Sequence, residues 1–221
     1  MKKIGIIIVF VFINSLIRAQ FLYSLGIAAG VSYGKETWTA EQYQTKEKYL
    51  LGPNGAVLAE FFRGTAFNWR AEIMYNGLGT KEAVSGENYT NTTNYISLNN
   101  YLKYTYEFVY FKVYGLVGPR VEYLLNRKAA VYPDVINGMS PLHLSAAGGV
   151  GFELYSYSHI KPFAEAFYNR DISPSFNGNF QGTTIVSQHD FEFRLGLKYV
   201  FNEKNKCPKV DNSAGQPPGG F

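Results

Sequence analysis

The chain has 221 residues but only one cysteine and three histidines. A single thiol, Cys207, cannot form a disulfide within the chain, so the fold does not depend on a disulfide framework. No cysteine stands directly after the N-terminal apolar run, which argues against a lipid-anchored lipoprotein. No metal-ligand spacing, phosphate-binding loop or dinucleotide motif is present, and we therefore predict no metal site and no cofactor.

The chain without its predicted signal peptide also lacks a large net charge. Lys2 and Lys3 precede an apolar run over residues 4–17, a pattern that predicts a secretory signal peptide over residues 1–19. Its removal would also take away Arg18 and lower the net charge from +4 to +1, with 18 basic residues against 17 acidic ones. A near-neutral chain without a cluster of lysine or arginine gives no electrostatic basis for binding nucleic acid.

The sequence also lacks a segment that could form a membrane-spanning helix. The apolar run over residues 4–17 is shorter than the roughly 20 residues that a helix needs to cross a bilayer, and no other segment comes close. Aromatic residues are abundant instead, with 18 Tyr and 17 Phe. These residues, together with Val and Ile, suit a pleated surface with one apolar face, so the composition favours an all-β protein.

The clearest pattern lies near the C-terminus, where apolar and polar positions alternate from Phe191 to Phe201. Such alternation is typical of a transmembrane β-strand, whose side chains point in turn to the lipid and to the lumen. Seven further segments alternate in the same way. We predict eight strands, over residues 22–33, 55–63, 67–79, 94–105, 109–123, 143–155, 161–170 and 188–201.

The connections between these strands alternate in length. Four are long, over residues 34–54, 80–93, 124–142 and 171–187, and the others are short. Outer-membrane barrels have long extracellular loops, short periplasmic turns and an even number of strands. The pattern therefore predicts an eight-stranded antiparallel up-and-down transmembrane β-barrel over residues 20–201, with the polar stretch of residues 89–94 at a loop tip. A disordered periplasmic tail over residues 202–221 is predicted to follow.

A soluble barrel of the lipocalin type is the alternative fold, since it would carry the same alternation with the two faces exchanged. In the first and sixth strands the polar-parity positions hold mainly glycine, alanine and serine. These small residues would form a poor solvated surface but would fit a narrow interior. The membrane barrel is therefore the favoured interpretation.

Charged residues fall on the face predicted to point inward. The set comprises six acidic and six basic residues: Glu60, Glu72, Glu122, Glu153, Glu165, Glu192, Arg70, Lys103, Lys112, Arg120, Arg194 and Lys198. In a narrow barrel such charges are tolerated only when they are paired and hydrogen-bonded. We predict a structural network that closes the lumen, with the arginines paired to glutamates of neighbouring strands. The aromatic side chains predicted to fill the space between them are Tyr110, Tyr114 and Phe167.

Two residues of the sixth strand raise a catalytic alternative. His143 and Ser145 resemble the His-x-Ser pair of outer-membrane lipid A deacylases, in which an imidazole activates a serine nucleophile. The resemblance covers three residues, and Ala146 stands where an asparagine usually follows the serine. Both residues also fall on the inward parity rather than facing lipid. We therefore predict no catalytic site.

Residues 21–201 as a whole resemble the small outer-membrane β-barrel domains of Gram-negative bacteria, of the PorT-like and OmpA-like kind. The resemblance is carried by the signal peptide, the eight strands and two stretches, Val113–Pro119 and Ala146–Glu153. The last strand resembles the C-terminal signal by which the barrel-assembly machinery recognises outer-membrane proteins. Its apolar positions are Phe191, Phe193, Leu195, Leu197, Tyr199 and Phe201.

This resemblance implies a fold and an outer-membrane location but no particular role. We predict a non-enzymatic protein that contacts outer-membrane lipid and is either structural or binds a protein partner through its extracellular loops. The aromatic loop residues predicted to make such contacts are Trp38, Tyr43, Tyr49, Phe176 and Phe180. A narrow passive, porin-like pore and a lipid-modifying enzyme that uses His143 and Ser145 are the alternatives.

Overall fold

The computed structural model describes residues 22–40, 46–62, 66–84, 87–128, 140–155, 159–173, 176–180 and 183–201. These residues form nine β-strands. The strands are β1 (Leu22–Ala40), β2 (Lys46–Phe61), β3 (Phe67–Val84), β4 (Glu87–Glu107), β5 (Phe111–Lys128), β6 (Leu142–Leu154), β7 (Ile160–Asp171), β8 (Phe176–Phe180) and β9 (Thr183–Val200). Within the described ranges there is no helix long and apolar enough to cross a membrane.

Eight of these strands form a closed antiparallel sheet. They follow one another in the order β1 to β7 and then β9, and β9 pairs back onto β1 from Ser24 opposite Val200 to Ala40 opposite Thr183. The short β8 pairs with the upper part of β9. Closure gives each barrel strand two neighbours and so removes the free sheet edges. The prediction of an eight-stranded up-and-down barrel is confirmed.

Side chains along each barrel strand alternate between the interior and the outer surface. In β9, Glu192 and Arg194 are buried, whereas Phe193 and Leu195 are exposed by 56% and 71%. A soluble barrel of the lipocalin type would bury the apolar parity and solvate the polar one. The lipocalin alternative is therefore wrong.

The exposed aromatic side chains form two bands around the barrel. The upper, extracellular band contains Tyr33, Tyr75, Tyr123, Tyr168 and Phe191, and the lower, periplasmic band contains Phe67, Trp69, Tyr104 and Tyr199. Between the bands most outward side chains are aliphatic, for example Ile27, Val57 and Ile73, and Phe193 is an aromatic exception. Aromatic girdles of this kind flank the apolar belt of outer-membrane barrels. The outer surface is that of a protein embedded in lipid.

On the extracellular side the strands extend beyond the predicted limits. β2 begins at Lys46 rather than at residue 55, and β4 begins at Glu87 rather than at residue 94. Thr90, in the stretch predicted to be a loop tip, pairs with Lys81 of β3. In the β4 extension both parities are polar, and in the β2 extension Leu50 and Leu51 are adjacent. The apolar alternation therefore disappears, although Thr and Tyr still favour an extended chain. Much of the sequence assigned to long loops is therefore paired strand.

The fifth strand begins later than predicted. β5 starts at Phe111, and residues 108–110 form a turn between β4 and β5. The amide of Phe108 donates to the carbonyl of Phe111 over 2.8 Å, which takes Tyr110 out of the barrel wall. Tyr110 is 78% exposed in this turn, so the prediction that its side chain fills the lumen is wrong.

Some predictions concern parts of the chain that lie outside the described residues. These include the signal peptide over residues 1–19, the tail over residues 202–221, and Tyr43. The side chains of Trp38, Phe176 and Phe180 are likewise outside the description, although their backbones lie in β1 and β8. The boundaries proposed for the three regions of the chain stay predictions.

Replacing Leu195 by Arg should destabilise the barrel strongly. Leu195 lies midway between the girdle residues Phe191 and Tyr199, so the new guanidinium would face the bilayer centre. We expect the free energy of unfolding to fall by about 2–4 kcal/mol, measured by urea titration of protein folded into lipid vesicles. Val109→Arg in the exposed turn should change it by about 1 kcal/mol or less. Equal losses in both variants would contradict the assignment of the lipid-facing belt.

Candidate functional site: the charged lumen

The interior of the barrel is lined by charged side chains on the inward parity. Eleven of the twelve residues predicted to form the lumen network are buried, and the exception is Lys112. The buried residues are Glu60, Glu72, Glu122, Glu153, Glu165, Glu192, Arg70, Lys103, Arg120, Arg194 and Lys198. They come from seven different strands, β2 to β7 and β9, so the interior is crossed by contacts between residues far apart in the sequence.

The layer nearest the periplasm is centred on Glu60 of β2. Its carboxylate accepts from Lys103 of β4 over 2.6 Å and from Lys198 of β9 over 2.8 Å. Lys198 also lies 2.6 Å from Glu153 of β6, and Ser24 donates to Glu60 over 3.0 Å. Two lysines therefore face two glutamates, and each carboxylate is met by a cation from another strand.

The middle layer joins two arginines to two glutamates. Arg70 of β3 binds Glu165 of β7 through both terminal nitrogens and lies 2.8 Å from Glu72. Arg194 of β9 lies 2.9 Å from Glu72 and 3.2 Å from Glu165. Bidentate guanidinium–carboxylate pairs are the strong, directional form of an ion pair. The Arg194–Glu165 pair joins the neighbouring strands β9 and β7, as expected from the sequence. The Arg70–Glu165 and Arg194–Glu72 pairs instead span the lumen.

Aromatic side chains fill the space beside these charges. The Tyr114 hydroxyl donates to Glu165 over 2.7 Å, and its ring lies 3.8 Å from the Lys103 ammonium. Phe167 lies under the Arg194 guanidinium at 4.2 Å. Facing Tyr114 is Gly151, where a Cβ would come within 2.1 Å of the ring. The small residues of β6 are therefore needed because bulky side chains from adjacent strands occupy the lumen.

The layer nearest the extracellular side differs in composition. Arg120 of β5 binds Glu192 of β9 over 2.7 Å and donates to Asn99 over 3.1 Å. Asn169 donates to the buried carboxylate of Asp190 over 3.1 Å. The second carboxylate oxygens of Asp190 and Glu192 have no hydrogen-bond partner within the described chain. This layer is therefore richer in carboxylates than in cations.

Also in this layer lie the two residues of the catalytic alternative. Both His143 and Ser145 are buried and point into the lumen, away from lipid. The imidazole Nε2 lies 2.8 Å from a carboxylate oxygen of Glu122, and Ser145 Oγ makes no hydrogen bond to the imidazole. A serine nucleophile needs a base within hydrogen-bond reach and access to its substrate. The arrangement of these two side chains supplies neither.

Three further charged residues lie on the inward parity or at its periplasmic mouth. Lys112 lies at the periplasmic mouth, 2.8 Å from the largely exposed Glu107 and outside the buried layers. Asp190 and Lys161 are buried, although the sequence analysis did not include them. Asp190 shares the parity of Glu192, and Lys161 shares that of Glu165, so the same period-two rule would have found both.

The residues of the predicted assembly signal lie on the outward face of β9. Their outward parity is shown by exposed fractions of 40% for Phe191, 71% for Leu195 and 46% for Tyr199. Phe201 follows the last strand residue and packs edge-on against Tyr199, with ring centroids 5.3 Å apart. The apolar face of the last strand is therefore accessible in the folded barrel, and its role in assembly stays a prediction.

No protein-family model and no curated protein matches the chain. Solved structures do match. The outer membrane protein OprG from Pseudomonas aeruginosa has a TM-score of 0.54 at 14% identity, over 83% of this chain and 98% of that chain. Neisserial surface protein A has a TM-score of 0.46 at 13% identity, over 80% of this chain and 97% of that chain. Identities this low establish a likeness in fold alone. The barrel fold and its lipid-facing belt confirm the predicted outer-membrane location.

Glu60 offers a test of how far the lumen charges support the fold. Replacing Glu60 by Gln would leave Lys103 and Lys198 with Glu153 as their remaining carboxylate, so we expect the free energy of unfolding to fall by about 3–5 kcal/mol. The measurement is urea-induced unfolding in lipid vesicles. The matched control is Glu107→Gln, since the Glu107 side chain is 62% exposed where it pairs with Lys112 and this pair should contribute about 1 kcal/mol or less. Similar losses in the two variants would show that the buried Glu60 pairs stabilise the barrel no more than the Glu107–Lys112 pair does.

Proposed function

We propose that this outer-membrane β-barrel is a non-enzymatic protein whose lumen is closed by ion pairs and whose extracellular strands bind a protein partner. The observation that carries the proposal is the surplus length of the strands. β4 has 21 residues and β1 has 19, whereas a tilted strand needs about 9–11 to cross the bilayer. The extra residues serve no purpose in spanning the membrane and present a surface outside it.

The extracellular part consists of two paired sheets. The ladder between β1 and β2 ends at Gly34 opposite Leu50, and above this point the two strands follow different partners. β2 continues with β3 and β4, while β1 continues with β9 and, through β9, with β8. The segment Glu87–Asn94 alone runs roughly 25 Å along β4. Two sheets that rise this far from the bilayer form a scaffold on which contact residues can be held rigidly.

An aromatic cluster lies at the base of the two sheets and connects them. Tyr49 of β2 stacks on Tyr33 of β1 with ring centroids 4.7 Å apart, and its hydroxyl lies 3.0 Å from Nε2 of His189 on β9. Lys35 lies 5.9 Å from the Tyr49 ring. Aromatic side chains with a polar group are frequent anchors in protein interfaces. Of the aromatic contact residues predicted from the sequence, Tyr49 is the one whose described contacts support that role.

The closed lumen is supported by the three charged layers. An eight-stranded barrel leaves an interior just wide enough for side chains. Here that interior holds arginines and glutamates paired across it, with Tyr114 and Phe167 between them. A passive pore would need charges that move aside, and several of these side chains hold two or more partners each. The pairing therefore favours a structural network over a conduction path.

Site-specific crosslinking tests the binding surface. A photoreactive amino acid placed at Lys81 or Thr90, which are both exposed above the membrane, should give the same adduct with one protein in intact cells. The matched control is Val109, which is exposed in the turn between β4 and β5 at the opposite end. The proposal predicts that Val109 gives no such adduct. Identical adducts from all three positions, or from Val109 alone, would contradict binding through the extracellular sheets.

Planar-bilayer recording tests the closed lumen. The wild-type protein should show little or no steady conductance, because its interior is filled by paired charges and aromatic rings. An open porin recorded in the same bilayers provides the control for insertion. Stable ion-selective openings whose selectivity changes in Glu72→Gln or Arg120→Gln would overturn the closed-lumen proposal and favour the passive pore.

A further inference from the structure

At the extracellular end of the lumen, three metal-ligating side chains from three adjacent strands meet. Glu122 of β5, His143 of β6 and Asp171 of β7 each offer one donor atom, and these atoms all lie within 4.8 Å of one another. His143 Nε2 is 2.8 Å from a Glu122 oxygen and 3.9 Å from an Asp171 oxygen. The side chains of all three residues are at most 2% exposed. The donors are therefore held close together and shielded from bulk water.

The imidazole of His143 is held in place by packing, but within the described chain its ring nitrogens lack hydrogen bonds. Its ring packs edge-on against Tyr95, with centroids 4.9 Å apart. Neither ring nitrogen makes a hydrogen bond of ordinary geometry, even though Nε2 lies so near the Glu122 carboxylate. Ser145 Oγ is buried near the same carboxylate without hydrogen-bond geometry, and Asn169 Oδ1 is buried without a partner within the described chain. Within the described chain, several buried polar atoms around this point therefore lack a hydrogen bond, and such groups call for an explanation.

Carboxylates are more numerous than basic side chains in this layer of the described structure. The carboxylates that face it are those of Glu122, Asp171, Asp190 and Glu192. Among the described residues, Arg120 is the buried cation of the layer and Arg127 a half-buried one above it. The layers closer to the periplasm pair four glutamates with two lysines and two arginines, and the buried Lys161 adds a further basic residue opposite Lys198. Among the described residues, the carboxylates of this layer therefore outnumber its arginines.

We propose that Glu122, His143 and Asp171 bind one Zn²⁺ ion at the extracellular end of the lumen. A tetrahedral Zn²⁺ with bonds of about 2.0–2.2 Å keeps its ligand atoms roughly 3.3 Å apart, between the two distances observed from His143 Nε2. One imidazole and two carboxylates suit zinc, whereas calcium and magnesium take oxygen ligands. Water or the side chain of Ser145 or Asn169 would supply the fourth ligand.

Asp171 borders a cleft of about 370 Å³ that is also lined by Arg170, Gln188 and His189. The Gln188 amide donates to Oδ2 of Asp171 over 2.9 Å, whereas Oδ1 of the same carboxylate lies on the side of His143. Because the ligands come from β5, β6 and β7, a bound ion would tie together three strands at the end where the β5–β6 connection begins.

Metal titration tests the proposal on the full-length chain with Cys207 replaced by Ser, so that no thiol competes. After chelator treatment, the folded protein in detergent should bind one equivalent of Zn²⁺ by calorimetry, and ZnCl₂ should raise its unfolding temperature. His143→Gln and Asp171→Asn should each weaken binding by at least about 10-fold. The matched control is His159→Gln, in the turn between β6 and β7, which should bind Zn²⁺ as the parent does.

Folding of each variant is checked by its shift on SDS gels before and after boiling. X-ray absorption at the zinc edge of the unsubstituted site should show one imidazole and oxygen ligands at about 2.0–2.2 Å, so the proposal does not depend on a variant that fails to fold. No zinc binding by the parent, unchanged binding in His143→Gln, or a zinc spectrum without an imidazole would overturn it. Binding of Ca²⁺ as tight as that of Zn²⁺ would overturn the assignment to zinc.

Discussion

The pairing of β9 with β1 is the interaction on which the rest of the structure depends. It runs from Ser24 opposite Val200 to Ala40 opposite Thr183 and turns the sheet into a cylinder. In a bilayer an unpaired strand edge would leave backbone N–H and C=O groups without partners, at a cost of several kcal/mol for each. Once the cylinder is closed with eight strands, its interior is narrow, and every polar side chain on the inward parity must find its partner there.

The arrangement of the interior follows from this narrowness. Glu60 serves two lysines and Glu165 serves two arginines, because few water molecules fit between them and each charge must be met by protein. Gly151 leaves the space that Tyr114 takes. Toward the extracellular side the balance changes, and the carboxylates of Glu122 and Asp171 meet at the imidazole of His143. The lumen is thus a stack of ion pairs that ends in a group of metal-ligating side chains.

The sequence was informative wherever one local rule applied. Alternation of apolar and polar residues placed eight strands and assigned Arg70, Glu72 and Arg194 to the inward parity, where the structure has them. The rule gave wrong assignments in segments where apolar and polar residues do not alternate. Above the membrane both parities are polar, so the paired segment around Thr90 was mistaken for a loop. At the lower end the turn of residues 108–110 has no alternation of its own, and Tyr110 was assigned to the lumen although it lies outside.

The sequence by itself determined which side chains point inward, because the direction of a side chain in a strand depends only on a period of two residues. It could not determine which inward side chains meet. Arg70 and Glu165 are 95 positions apart, and Glu122, His143 and Asp171 come from three strands. Those contacts depend on the stagger between strands and on the diameter of the closed barrel, which are properties of all eight strands together. Only the tertiary structure therefore decided the ion-pair partners and brought the three metal donors to one point.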